Sequence, residues 1–159
     1  MTITREPLSI ERLAADVERR GRDVGEGCGA VCSFLGVVRA THQHRRVTAL
    51  DYEAFEPLAA RAFEQISSEI AGQWPRVLIA IHHRTGRLEV GEASVAIVAG
   101  GAHRAETFAA CRYAIERVKQ IAPIWKHEYF EDGDAWVEGA VVDPADDAAR
   151  REALARACA

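Results

Sequence analysis

Residues 93–130 read ASVAIVAGGAHRAETFAACRYAIERVKQIAPIWKHEYF, and this stretch decides the fold. Ala93 to Ala99 is an apolar run of strand length, closed by the small-residue turn Gly100-Gly101-Ala102. From about His103 to Ile121 the apolar positions return at helical spacing. Pro123 then forbids the helix from continuing. Ile124 to Phe130 is a short aromatic-rich strand. The same order stands upstream: a strand over Val47 to Ala54, a helix opening at Pro57, and a strand over Arg76 to His83. That helix carries the stripe Ala59, Ala62, Phe63, Ile66 and Ile70, and Gly72 and Pro75 end it. Residues 47–130 therefore spell β-α-β-β-α-β, the split βαβ core of ferredoxin-like folds. The expected class is α+β, with a mostly antiparallel sheet and helices on one face.

Working outward, Ser9 suits the N-cap of an N-terminal helix in which Ile10, Leu13, Ala14 and Val17 share a face and Gly21 breaks the pattern. Gly29 to Val38 reads as an extra strand and Arg39 to Arg46 as a polar, basic loop. Glu131-Asp132-Gly133-Asp134 reads as a hairpin turn leading to a strand over Ala135 to Glu138. The extra strands would extend the sheet or build a small second one. Asp143 to Ala159 is expected to be a surface helix or a frayed tail. Residues 1–159 are taken as one domain, with a core over about 8–140 and a polar tail over 141–159.

The chain has 159 residues, 48% of them hydrophobic, and a net charge of −4, which suits a globular domain and excludes a disordered chain. No apolar run reaches the roughly 20 residues needed to span a bilayer. Met1 to Pro7 lacks the basic flank and apolar core of a secretory signal, so a soluble cytoplasmic protein is expected. Charge is uneven: residues 128–159 hold nine acids against three arginines, whereas Gly27 to Leu50 contains no acid. Nucleic acid is a poor fit as partner, because the net charge is negative and the basic segment lacks interleaved aromatics. Cys28, Cys32, Cys111 and Cys158 form no Cys-x-x-Cys pair; Cys28 and Cys32 would share one strand face too far apart to bridge, and reduced thiols are expected.

Four places concentrate chemistry. Arg39, just past an apolar strand, offers a guanidinium that matches phosphate and carboxylate geometry. Gly100 to Arg104 joins a strand end to a helix start, where free N–H groups beside His103 and Arg104 could hold an anion. Among twenty basic side chains only Lys119 and Lys126 are lysine. An ammonium can give up its proton and a guanidinium effectively cannot, so a chain that uses arginine elsewhere keeps amines where acid, base or nucleophile chemistry needs them. Alternation puts Lys126 on the strand face opposite Trp125 and His127. Finally, His42-x-His44 and His82-His83 lack partners spaced to complete a metal site, and a basic loop is the better reading of the first pair.

At these residues the sequence resembles the large subunit of molybdopterin synthase. The likeness spans about residues 8–140 and is carried by Phe34-Leu35-Gly36-Val37-Val38-Arg39, Leu50 to Ala54, His82 to Gly86, Ala102-His103-Arg104 and, most specifically, Lys119-x-x-x-Pro123-Ile124-Trp125-Lys126-x-Glu128. The resemblance implies a sulfurtransferase of molybdenum cofactor biosynthesis that converts cyclic pyranopterin monophosphate to the dithiolene molybdopterin. It implies a separate ubiquitin-like small subunit whose C-terminal Gly-Gly thiocarboxylate is the sulfur donor. It also implies a homodimer of large subunits within a heterotetramer. No cofactor and no metal is implied, since molybdenum enters later. By residue, Lys119 and Lys126 match the catalytic lysines, and Val37, Val38 and Arg39 match the wall of the substrate pocket. His103 and Arg104 match an anion-binding pair supplied by the neighbouring protomer, while His127 and Glu128 follow Lys126 along the pocket edge. Three departures stand out. Residues 40–44 lack the Asn and Gly usual in relatives, position 127 is histidine where lysine or arginine is usual, and Gly101 stands where relatives often carry serine. Two other readings compete: a module that docks a ubiquitin-like tail without chemistry, and a stand-alone enzyme acting on phosphate esters.

Overall fold

Strong alternation in the strands and apolar stripes on the helices lead to thirteen elements among the described residues, 1–25, 27–137 and 142–158, of a computed structural model. In order they are β1 (Thr2–Thr4), α1 (Ile10–Asp23), β2 (Ala30–Val37), β3 (Thr41–His42), β4 (Arg45–Ala54), α2 (Glu56–Gln73) and β5 (Leu78–Arg84). They continue with β6 (Gly86–Glu89), β7 (Ala93–Gly101), α3 (Arg104–Ile121), β8 (Ile124–Phe130), β9 (Gly133–Val137) and α4 (Asp147–Cys158). Glu138, the expected end of the last strand, lies outside the described residues.

The α+β class and the antiparallel bias hold, and the expected β-α-β-β-α-β string is present as β4-α2-β5-β7-α3-β8 with β6 inserted. The strands divide between two sheets. One has the order β1-β5-β7-β2; the other runs β3-β4-β8-β9, with β6 also on β4. The antiparallel pairs β5–β7 and β4–β8 are those a single ferredoxin-like sheet would contain. What is missing is the parallel join between the two pairs. β2 takes the free edge of β7 over eight register positions instead, and among the described residues the only parallel pairing is the three-residue β1 on β5.

Both faces of the first sheet are covered. Phe63, Ile66, Ile70, Ile79, Ile81, Ile97 and Ile121 form the main core between that sheet and α2 and α3, while Leu13 and Val17 of α1 pack on Ala80, Ala96 and Val98 behind it. Ser9 caps α1, its hydroxyl oxygen accepting from Arg12 N at 3.2 Å. Cys28 precedes β2 and packs on the α1 side, whereas Cys32 packs against the α2–α3 core; a shared face is therefore not observed, because the strand begins only at Ala30. Gly100 is where α1 comes closest: a Cβ there would lie 2.5 Å from Val17 Cγ1 and 2.9 Å from Cys28 Sγ. Gly100→Ala is expected to cost about 1–3 kcal/mol through this overpacking, read as a lower thermal midpoint.

The tail is a docked helix. Ala149, Ala153 and Ala157 of α4 are buried, and Gln120 Nε2 donates to the Ala149 carbonyl at 3.1 Å. Below it lies a buried ionic network. Arg117, fully buried, donates to both Glu69 oxygens at 2.9 and 2.8 Å, and Tyr113 Oη donates to Glu69 at 2.8 Å. Arg117 also donates to the Pro144 carbonyl at 3.2 Å, tying α2, α3 and the tail together.

Candidate active site

The two sheets diverge at the C-terminal end of α3, and a cleft of about 650 Å³ opens between them. Its floor is apolar, built in part by Phe34, Val95, Ile115 and Val118, and its charged lining is Arg39, His42, Lys119, Lys126 and Glu128. The positions follow from the chain. Val118 and Ile121 are buried, which fixes the last turn of α3 and leaves Lys119 on the open side. Pro123 ends the helix, its carbonyl accepting from Phe55 N at 3.2 Å, and β8 starts one residue later. This short corner brings Lys119 and Lys126 to the same cleft.

Glu128 is the anchor. It is 1% exposed, and its carboxylate accepts from Lys126 Nζ at 2.7 Å and bonds His42 Nδ1 at 2.6 Å. Burial alone would raise its pKa, but these two partners outweigh that and hold the carboxyl below its ordinary value. Lys126 is thus tethered through its own strand neighbour two residues on, which shares its face. Lys119 and Arg39 make no ion pair among the described residues.

His42 reaches the cleft on a tight hairpin. Gln43 and His44 have φ of 48° and 65°, so β3 and β4 join through a two-residue turn of left-handed residues, without the glycine such turns favour. The basic loop expected over Arg39 to Arg46 is therefore mostly strand and turn. Arg45 pins it, donating to Asp132 at 2.7 Å with its guanidinium 3.7 Å from the Phe130 ring centroid.

Of the residues singled out from the sequence, the structure brings Val37, Arg39, Lys119, Lys126 and Glu128 together. Val38 is buried beneath, in a cluster with Val47, Leu50, Leu88 and Phe130. His127 does not follow the cleft edge. Alternation turns it to the other face of β8, where its ring stacks on Trp136 at 4.7 Å and bonds Asp134 at 2.6 Å. His103 and Arg104 are exposed at the start of α3, and fifteen helical steps separate Arg104 from Lys119, roughly 22 Å within one chain. His42 was missed as a site residue. Its signal was the buried acid it meets, since a carboxylate inside an apolar strand demands partners.

His83 forms part of the back wall, 6% exposed, with Nδ1 at 2.8 Å from the Arg84 carbonyl and its ring edge-on to Tyr52. Burial pushes its pKa down to about 4, and burial lowers that of His82 as well. The unfolded chain binds these protons first as pH falls. Stability from His83 is thus complete above pH 6.5 and declines toward pH 4, by about 3 kcal/mol in all. Denaturant titrations between pH 7 and 5 should show this slope, and His83→Gln should flatten it.

Comparison with known proteins identifies relatives of this arrangement. Residues 3–121 match the family described as "MoaE protein". A molybdopterin synthase catalytic subunit of Nostoc is 45% identical over 137 residues, covering 85% of this chain and 79% of the relative. The crystal structure of molybdopterin synthase from Staphylococcus aureus aligns with a TM-score of 0.78 at 36% identity, covering 86% of this chain and 95% of that one. A complex of subunits 1 and 2 of the molybdopterin-converting factor from Helicobacter pylori shares the fold, with a TM-score of 0.71 at 22% identity over 92% of this chain and 97% of that one.

Proposed function

The chain belongs to the MoaE family of molybdopterin synthase catalytic subunits, and we propose that its cleft moves sulfur from the thiocarboxylate tail of a small ubiquitin-like partner onto cyclic pyranopterin monophosphate. It is a transferase of molybdenum cofactor biosynthesis. One observation carries the mechanistic reading: the only two lysines of the chain, set on either side of the corner at Pro123, line one cleft together with Arg39.

Both reactants are anions, a cyclic phosphate and a thiocarboxylate, and the cleft's cations attract both. Each transfer exchanges one thiocarboxylate sulfur for one substrate oxygen. The acyl group left on sulfur is released to water, so the donor ends as a carboxylate. Negative charge grows on the acyl oxygen during release, and a positioned ammonium stabilises it. Lys126, tethered to Glu128, suits this electrostatic role. Lys119, with no ion-pair partner among the described residues, suits proton exchange with the departing oxygen.

In this reading His103 and Arg104 serve the cleft of a second copy, which gives a homodimer with one small subunit at each end. Their distance from Lys119 in the same chain supports that division. The cytoplasm is the proposed location; four free thiols fit a reducing compartment. The test is reconstitution of the chain with a thiocarboxylated small subunit and cyclic pyranopterin monophosphate. Dithiolene should form only when all three are present. Turnover of the phosphate substrate without the donor protein would overturn the proposal.

A further inference from the structure

The geometry points to His42 as an additional substrate-contacting residue of the cleft, an imidazole oriented by Glu128 so that its second ring nitrogen donates a hydrogen bond to the anionic oxygens of the bound reactants. This rests on the sulfur-transfer reading and deepens it. The imidazole is fixed from one side only. Its Nδ1 lies 2.6 Å from Glu128 Oε2, while Nε2 has no hydrogen-bond partner among the described residues. The side chain is 24% exposed and lines the cleft. A carboxylate on Nδ1 holds that nitrogen protonated and turns the ring so that Nε2 faces the cleft. Only the protonated ring presents Nε2–H outward.

The same carboxylate binds Lys126 Nζ through its other oxygen, so Glu128 fixes two cleft donors at once. The hairpin supports the placement, with Gln43 and His44 both left-handed and His42 paired with Arg45 across the turn. The other charged and titratable groups lining the cleft are Glu128 and Lys126 from β8, Lys119 from α3, Arg39 after β2, Tyr52 from β4 and His83 from β5.

His42→Gln tests this contact, because a glutamine amide still donates to Glu128 but leaves no outward donor for the reactants. In the reconstituted system, kcat/KM for the phosphate substrate should fall by roughly tenfold or more in His42→Gln, while small-subunit affinity and the thermal midpoint stay put. Unchanged kcat/KM in His42→Gln would overturn the role of His42 and leave the sulfur-transfer reading standing. Absence of dithiolene from the wild-type chain, with competent partners, would overturn both.

Discussion

Lys119→Arg should lower synthase turnover by at least roughly a hundredfold while leaving docking of the small subunit and the thermal midpoint nearly unchanged. The side chain is exposed at the cleft and its neighbours Val118 and Ile121 carry the packing, so the fold does not depend on it. Arginine keeps the positive charge that draws in a phosphate and a thiocarboxylate. What it removes is a group able to exchange a proton. Lys126→Arg is the informative contrast. Lys126 is bound to Glu128 at 2.7 Å, and a guanidinium can renew that pair, so this variant should keep more activity than Lys119→Arg. Steady-state rates of dithiolene formation for both variants, beside small-subunit affinity, check the pair. Equal rates for Lys119→Arg and wild type would remove the Lys119 amine from the mechanism.

Arg117→Ala should destabilise the protein by about 3–5 kcal/mol, the cost of leaving the Glu69 carboxylate buried without its partner. Arg117 is fully buried, and Glu69 accepts from it twice, as well as from Tyr113 and from Gln65 at 3.0 Å. Desolvation pushes the Glu69 pKa up, yet these donors prevail and hold it below the ordinary carboxylate value. For a chain of this size the thermal midpoint should fall by roughly 10 °C. The double variant Glu69→Leu with Arg117→Met removes both charges and should cost far less, because no ion is stranded. If the single and double variants were equally unstable, packing rather than charge would be the cause. The network also holds Pro144, so α4 should loosen from α3 in Arg117→Ala and amide exchange in α4 should rise.

Much of this was legible in the sequence because it is written locally. The stripe from Ala59 to Ile70, the Ser9 cap, the stop at Pro123 and the alternation of β8 depend on neighbours within a few residues, and each element lies within a few residues of its expected place. The division into two sheets was not legible. It depends on β2 pairing with β7, strands far apart in sequence, and no local pattern specifies that choice. β1 has three residues and β6 four, too short for any periodicity to register. The site divides likewise. Lys119 and Lys126 stood out by rarity, whereas Glu128 was marked only by the family likeness. Its bond to His42 spans 86 positions of sequence, and nothing local encodes it. His127 shows the reverse. Alternation from Lys126 already placed it on the far face, and the family likeness drew it toward the cleft against that rule.

The central claim is that sulfur passes through this cleft from the tail of another chain to the pterin. The direct measurement is a single turnover with the small subunit carrying radiolabelled sulfur in its thiocarboxylate, followed by analysis of the product. Label should appear in both dithiolene sulfurs with the wild-type chain and in neither with Lys119→Arg. Dithiolene that forms without label, or label that stays on the small subunit while product accumulates, would contradict the account.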